Sequence, residues 1–133
     1  MHSHHLASMH HVNVLDAYSE QLETIPKEVL QEQVQAIQKE TVASRKWLAS
    51  LPRERLAGQA EESVKGIQQS HAQTIKAAKA ITAELQNPNV NYTSVSNQVN
   101  QMSRSLRSGE SHIHDAYNHW KLNPIHRRLH PGT

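Results

Sequence analysis

Apolar residues recur at alternating intervals of three and four along most of the chain, the spacing of helices that each bury one stripe. Leu30, Val34, Ile37, Thr41, Ser44, Leu48 and Leu51 make one such stripe, opened by Pro26 at a first-turn position and closed by Pro52. A second begins after Leu56 and runs through Val64, Ile67, His71, Thr74 or Ile75, Ala78, Ile81 and Leu85, until Asn87, Pro88 and Asn89 stop it. Tyr92, Val95, Val99, Met102 and Leu106 form a third, which Ser108 and Gly109 are expected to break. Ile113, Ala116, Tyr117 and Trp120 mark a last, short helix that ends before Pro124. Upstream, Asn13 is placed to cap a short helix carrying Leu15, Tyr18, Leu22 and Ile25 ahead of Pro26.

Short turns between long helices make antiparallel neighbours. The pattern therefore predicts an all-α fold, an antiparallel up-down-up-down four-helix bundle with a short additional N-terminal helix. Its expected limits are residues 13–123, preceded by a disordered leader or tag over 1–12 and followed by a flexible segment, 124–133, leading to an absent effector region. The stripes are rich in Thr, Ser, Ala and His, so the core is expected to be slim.

Composition agrees with helices. There is no Phe and no Cys among 133 residues, and only four Gly. Without cysteine there is neither a disulfide framework nor a thiolate metal site. No apolar run reaches the roughly 18 residues of a spanning helix, so any membrane role is peripheral. The first residues, MHSHHLASMHH, hold five histidines. A purification tag, a disordered native leader and a metal site all fit that stretch, and it is left out of the expected fold.

Charge changes the picture more than composition does. Between Asp16 and Glu40 six acids face only Lys27 and Lys39, a net of −4, and the chain from Thr41 onward carries +6. In the expected topology the turn around SRKWLASLPRERL and the turn at Ser108–Gly109 lie at one end of the bundle. That end would gather Arg45, Lys46, Arg53, Arg55, Arg104 and Arg107 against Glu54 and Glu110. Basic groups around Trp47, Leu48 and Leu51 suit adsorption to an anionic membrane surface. The plainer reading is that these apolar side chains close the end of the core while the arginines are merely solvated. Leu48 and Leu51 lie on the core repeat, and Trp47 lies one step off it.

The stretches VLDAYSEQL, RKWLASLPRER and SRSLRSGESHIH carry a resemblance. From about Asn13 to Trp120 the chain resembles the four-helix-bundle membrane localization domains of bacterial toxins and effectors, most closely the N-terminal lipid-raft-targeting domains of type III secreted cytotoxic effectors of Bordetella. The resemblance implies that two apical loops face phosphoinositides, through Lys46, Trp47, Leu51, Arg53 and Arg55 in one and Arg104, Arg107, Ser108 and His112 in the other. With Arg45, added from the charge map, these are the candidate lipid-binding residues. The implied partners are phosphatidylinositol 4,5-bisphosphate or phosphatidylserine, and the implied location is the cytoplasmic face of a host plasma membrane after type III secretion. A secretion chaperone is a further implied partner, on the helix around Leu15, Tyr18, Leu22 and Ile25.

Other chemistry is less well supported by the residues. A helical adaptor that binds a protein partner, or a homodimer through its heptad seams, is the alternative function. Six basic groups at one end do not make the extended stripe that a nucleic acid backbone follows. In SHIHDAYNHW, Asp115 and His119 are one helical turn apart, but a solvated helix end explains them without a metal. His71 occupies a seam position, where a hydrogen-bonded core histidine is the default and a pH sensor the sharper reading. His112, at the tip, would strengthen anionic binding when protonated. Ser, His and Asp occur without a glycine-framed nucleophile turn or a phosphate-cradling loop, so neither a catalytic site nor a cofactor is expected.

Overall fold

A computed structural model describes residues 1–122, and the expected C-terminal segment 124–133 lies outside the described residues. It is all-helical, with no strand among the described residues. Four long helices make a bundle: α1 (His2–Ala17), α2 (Lys27–Ala49), α4 (Glu61–Leu85) and α5 (Tyr92–Leu122). Between α2 and α4 lie a single helical turn, α3 (Arg53–Leu56), and a 3-10 turn over Gly58–Ala60; a second 3-10 turn, Leu22–Thr24, precedes α2. Helix α1 packs on α2 and α5, and α4 packs on the same two helices.

The core is divided along its length. At one end Val12, Leu15, Leu22, Leu30, Val34, Ile37, Ile81, Leu85, Val95, Val99, Met102 and Leu106 form one apolar cluster. At the other, Met1, Leu48, Ala60, Val64, Ile67, Ile113, Ala116 and Trp120 form a second. Trp120 is only 1% exposed and is the largest fully buried side chain. The stripes of α2 and α4 are buried as their spacing predicts, apart from Leu51, which is half-buried. The turn after α4 is held where Asn87 and Asn91 meet Glu84: the Asn91 backbone N–H donates to Glu84 Oε1 at 2.7 Å, and Asn91 Oδ1 caps the Ser94 N–H at 3.1 Å.

Two expectations fail. The first concerns residues 1–12, expected to be a disordered leader or tag and left out of the fold. They are helical, and Met1, His5, Ser8 and Val12 are buried together with Leu15 on one 4-3 stripe. Polar contacts tie this helix to its neighbours: His11 Nδ1 lies 2.6 Å from Gln33 Oε1, His4 pairs with Glu40, and Ser103 Oγ donates to Asp16 Oδ2 at 2.7 Å. The short helix expected from Asn13 is therefore not an addition to the bundle. Asn13 lies inside α1, Tyr18 is exposed just beyond its end, and Leu22 reaches the core from the 3-10 turn.

The second failure is the break at Ser108–Gly109. Helix α5 runs through both residues, so what was expected as two helices is one of 31 residues. Gly109 keeps the seam in phase, because Val95, Val99, Met102, Leu106, Gly109, Ile113, Ala116 and Trp120 follow one another at alternating spacings of four and three. Its backbone does not use the freedom of glycine, since among the described residues the only positive φ is at Gly58, +72°. Space is what it supplies. A Cβ there would collide with Ser70 Oγ and come within 2.9 Å of Ser70 Cβ.

Candidate functional site

Ser50 ends α2 by folding back on it, its hydroxyl donating to the Trp47 carbonyl at 2.6 Å and its backbone N–H to Lys46 and Trp47 carbonyls at 3.1 Å. Pro52, extended, then leads into α3. This places Lys46 on the last turn of α2, where a cation complements the helix dipole, Arg45 just before that turn, and Arg53 at the start of α3. All three side chains are exposed, as is Glu54 beside them. The Arg55 side chain lies outside the described residues.

Trp47, Leu51 and Leu56 are half-buried against the second apolar cluster. The Trp47 ring centroid lies 6.5 Å from that of Trp120, which in turn meets Tyr117 edge-on at 5.4 Å. These aromatic groups close the end of the core, so the plainer reading of Trp47, Leu48 and Leu51 describes their packing. What remains at the surface is a rim of exposed charges, Arg45, Lys46 and Arg53 with Glu54, next in sequence to the partly covered Trp47 and Leu51.

The second expected loop does not join that rim. Arg104, Arg107 and Ser108 are exposed along the middle of α5, and Arg107 Nη2 lies 3.3 Å from Asp16 Oδ2 at the far end of α1. Arg107 and Trp120 are thirteen positions apart on one helix, about 20 Å at 1.5 Å per residue. The two-loop tip was an outcome of the break expected at Gly109, and an unbroken α5 carries its basic residues down the side of the bundle instead. His112 alone of that group approaches the end: its half-buried ring lies where a Cβ on Gly66 would stand. The start of α4 brings Glu61 and Glu62 to the same end, with Lys65 Nζ 3.3 Å from Glu61 Oε1, so the charge there is mixed rather than uniformly basic.

A second constellation went unnoticed in the residue pattern. Between the two apolar clusters all four long helices contribute buried polar side chains: His5 and Ser8 from α1, Thr41 and Ser44 from α2, Ser70, His71 and Thr74 from α4, and Ser105 from α5. Some are satisfied. Ser70 Oγ donates to the Ser105 carbonyl at 2.6 Å, and Ser44 Oγ to the Met1 carbonyl at 3.4 Å. His5 Nε2, His71 Nδ1 and Thr74 Oγ1 are buried without a hydrogen-bond partner. Burial pushes the His71 imidazole down to about 4 from its ordinary 6.5, helped by the charges of His5, Arg45 and the N-terminus. Burial lowers His5 as well, and Glu110 opposes that shift. The hint in the sequence was that His5 and Ser8 share the 4-3 phase of Met1, Val12 and Leu15.

Among the described residues no group of three or more His, Asp or Glu side chains is arranged to hold a metal ion, and no helix is long and apolar enough to cross a membrane. Leu15 and Leu22, on the helix assigned to a chaperone, are inside the core. Comparison of the chain with protein-family models, curated proteins and solved structures gave no match.

Proposed function

We propose that this chain is a peripheral membrane-docking bundle, seated on anionic lipid by the end that bears Arg45, Lys46 and Arg53 around Trp47 and Leu51. In this reading the four long helices alternate up and down, which sets the end of α2 beside the start of α4 and the end of α5. One observation carries it: three exposed cations lie within six positions of a half-buried tryptophan at a helix end. Each cation near an anionic leaflet contributes about 1 kcal/mol, and guanidinium groups take phosphate oxygens in bidentate fashion. Trp47 supplies a ring suited to the headgroup layer. Arg104 and Arg107 are not part of this surface, and Leu51 contributes its exposed edge only.

The ligands in this reading are phosphatidylinositol 4,5-bisphosphate or phosphatidylserine. Its wider setting is a type III secreted effector brought to the cytoplasmic face of a host plasma membrane; that setting is what the resemblance carried by VLDAYSEQL, RKWLASLPRER and SRSLRSGESHIH implies. Co-sedimentation with vesicles of neutral lipid, of phosphatidylserine and of phosphatidylinositol 4,5-bisphosphate tests the proposal. Binding to the anionic vesicles that weakens as salt rises supports it. Equal indifference to all three at low salt removes it.

The alternative is an adaptor that binds a protein or a second copy through the side of the bundle. Among the described residues Leu6, Tyr18 and Val29 are the large apolar side chains most open to solvent and favour it, since Tyr18, just past the end of α1, and Val29, in the first turn of α2, are remote from the Trp47 end. It requires no lipid and a partner that protects α1 and α2.

A further inference from the structure

The buried polar layer sits midway along the bundle, where His5 and Ser8 of α1, which packs on α2 and α5, approach the polar residues of α4 across the core. We propose that this layer makes α1 an acid-releasable helix, which lets go of the bundle when the imidazoles of His5 and His71 take up a second proton.

The geometry leaves little choice about where such a proton would go. His5 Nε2 and His71 Nδ1 are already buried without a partner, so a new N–H⁺ at either would be a charge with no acceptor in the core. The groups facing the pair from each element do not help. From α1 itself come His2 and the N-terminus, from α2 Arg45, and from α5 His114, all of which oppose a further positive charge. Glu110, also on α5, is the one opposite charge acting on His5. The two histidines act on each other across the α1–α4 gap, so charging one disfavours charging the other while the helices stay together. Release resolves the conflict by letting water solvate both rings.

Why α1 and not the whole bundle? It is the shortest of the four long helices, and its stripe offers only Met1, Val12 and Leu15 as fully apolar residues. Helices α4 and α5, by contrast, share apolar side chains over their whole length at both ends of the core. A local opening takes the element with least to lose. His71 would then be solvated on α4 without leaving its helix.

The sign follows from the shift. A histidine whose folded-state value is depressed adds stability that is complete above its unfolded value and is lost as pH falls toward the folded one. For His71 that window runs from about 6.5 down to about 4. At pH 5 the opening equilibrium should therefore rise about 30-fold over its value at pH 7.5, on this residue alone. None of this depends on what the Trp47 end binds.

Amide hydrogen exchange on the full chain at pH 7.5 and pH 5.0, corrected for the intrinsic pH dependence of exchange, tests it. Protection over residues 2–17 should fall on the order of 30-fold at pH 5.0 and should lie below that of the α4–α5 pair at both pH values, because α1 opens without the rest. A His71→Leu variant, shown by circular dichroism to be folded at pH 7.5, should lose most of that difference. Equal protection in all four helices, or no fall in α1, overturns the proposal. So does an undiminished fall in the folded variant. Should the variant not fold, nitrogen-15 titration of the imidazoles in the unmutated chain decides: His71 protonating at its ordinary value while α1 stays protected overturns it as well.

Discussion

Replacing Gly109 by alanine puts the packing of α5 on α4 to a sharp test, because two effects of opposite sign compete. Within a helix interior, Gly→Ala normally stabilises by about 1 kcal/mol. Gly109 is buried and has an ordinary negative φ, so nothing in its backbone opposes the change. What opposes it is Ser70. The added methyl would overlap Ser70 Oγ and lie 2.9 Å from Ser70 Cβ, which no side-chain rotation can move. The helices must separate, and overpacking of this kind costs about 1–3 kcal/mol. Separation also strains the 2.6 Å bond from Ser70 Oγ to the Ser105 carbonyl, worth about 1 kcal/mol net. The balance is a loss of about 1–3 kcal/mol. Urea denaturation followed by circular dichroism at 222 nm would read it as a lower midpoint at unchanged slope. In a Ser70→Gly background the obstacle is gone, and the same Gly109→Ala change should become stabilising. A single variant as stable as the parent would refute the close approach and restore Gly109 to the role of a helix breaker.

Further expectations concern the ends and the middle of the core. Trp120→Ala should cost about 3–5 kcal/mol, read in the same denaturation experiment, because it empties the centre of the Trp47 end. Deleting residues 1–12 should lower the melting temperature markedly, since it removes Met1, His5, Ser8 and Val12 from the core; an unchanged melting temperature would return that segment to the status of a leader. Stability should decline from pH 7.5 to pH 5.0 by about 2 kcal/mol on account of His71, the decline being absent in a folded His71→Leu variant, as followed by denaturation at each pH. Gly66→Ala should be milder than Gly109→Ala, because the obstacle is the half-buried His112 ring, which can turn outward.

The stripes of α2 and α4 were legible because each carries enough Leu, Ile and Val for its period to stand out, with prolines marking both ends of α2 and the start of the turn after α4. Helix α1 was not, because its seam reads Met1, His5, Ser8, Val12 and Leu15, and two of the five are polar. Histidines crowded at an N-terminus invite a reading by composition, which hides their phase. Gly109 was misread for a related reason. Beside Ser108 it looks like a breaker, yet the stripe before it and the stripe after it are in register, and a true break would have reset that register. The error carried into the candidate site. Arg104 and Arg107 belong with Lys46 and Arg53 only if a turn falls at Ser108–Gly109, and α5 has none there. The first half of the site survived because Ser50 and Pro52 do end α2 where the pattern says.

An unbroken α5 separates Arg45, Lys46 and Arg53 from Arg104, which a two-loop tip would have joined. One comparison tests this directly: vesicle co-sedimentation of an Arg45→Glu/Lys46→Glu/Arg53→Glu variant against an Arg104→Glu variant, both confirmed as helical, on anionic lipid at low salt. The end variant should lose binding, and Arg104→Glu should bind within a few-fold of the parent, about 1 kcal/mol or less. Loss in both, or unaltered binding of the end variant, would contradict the account.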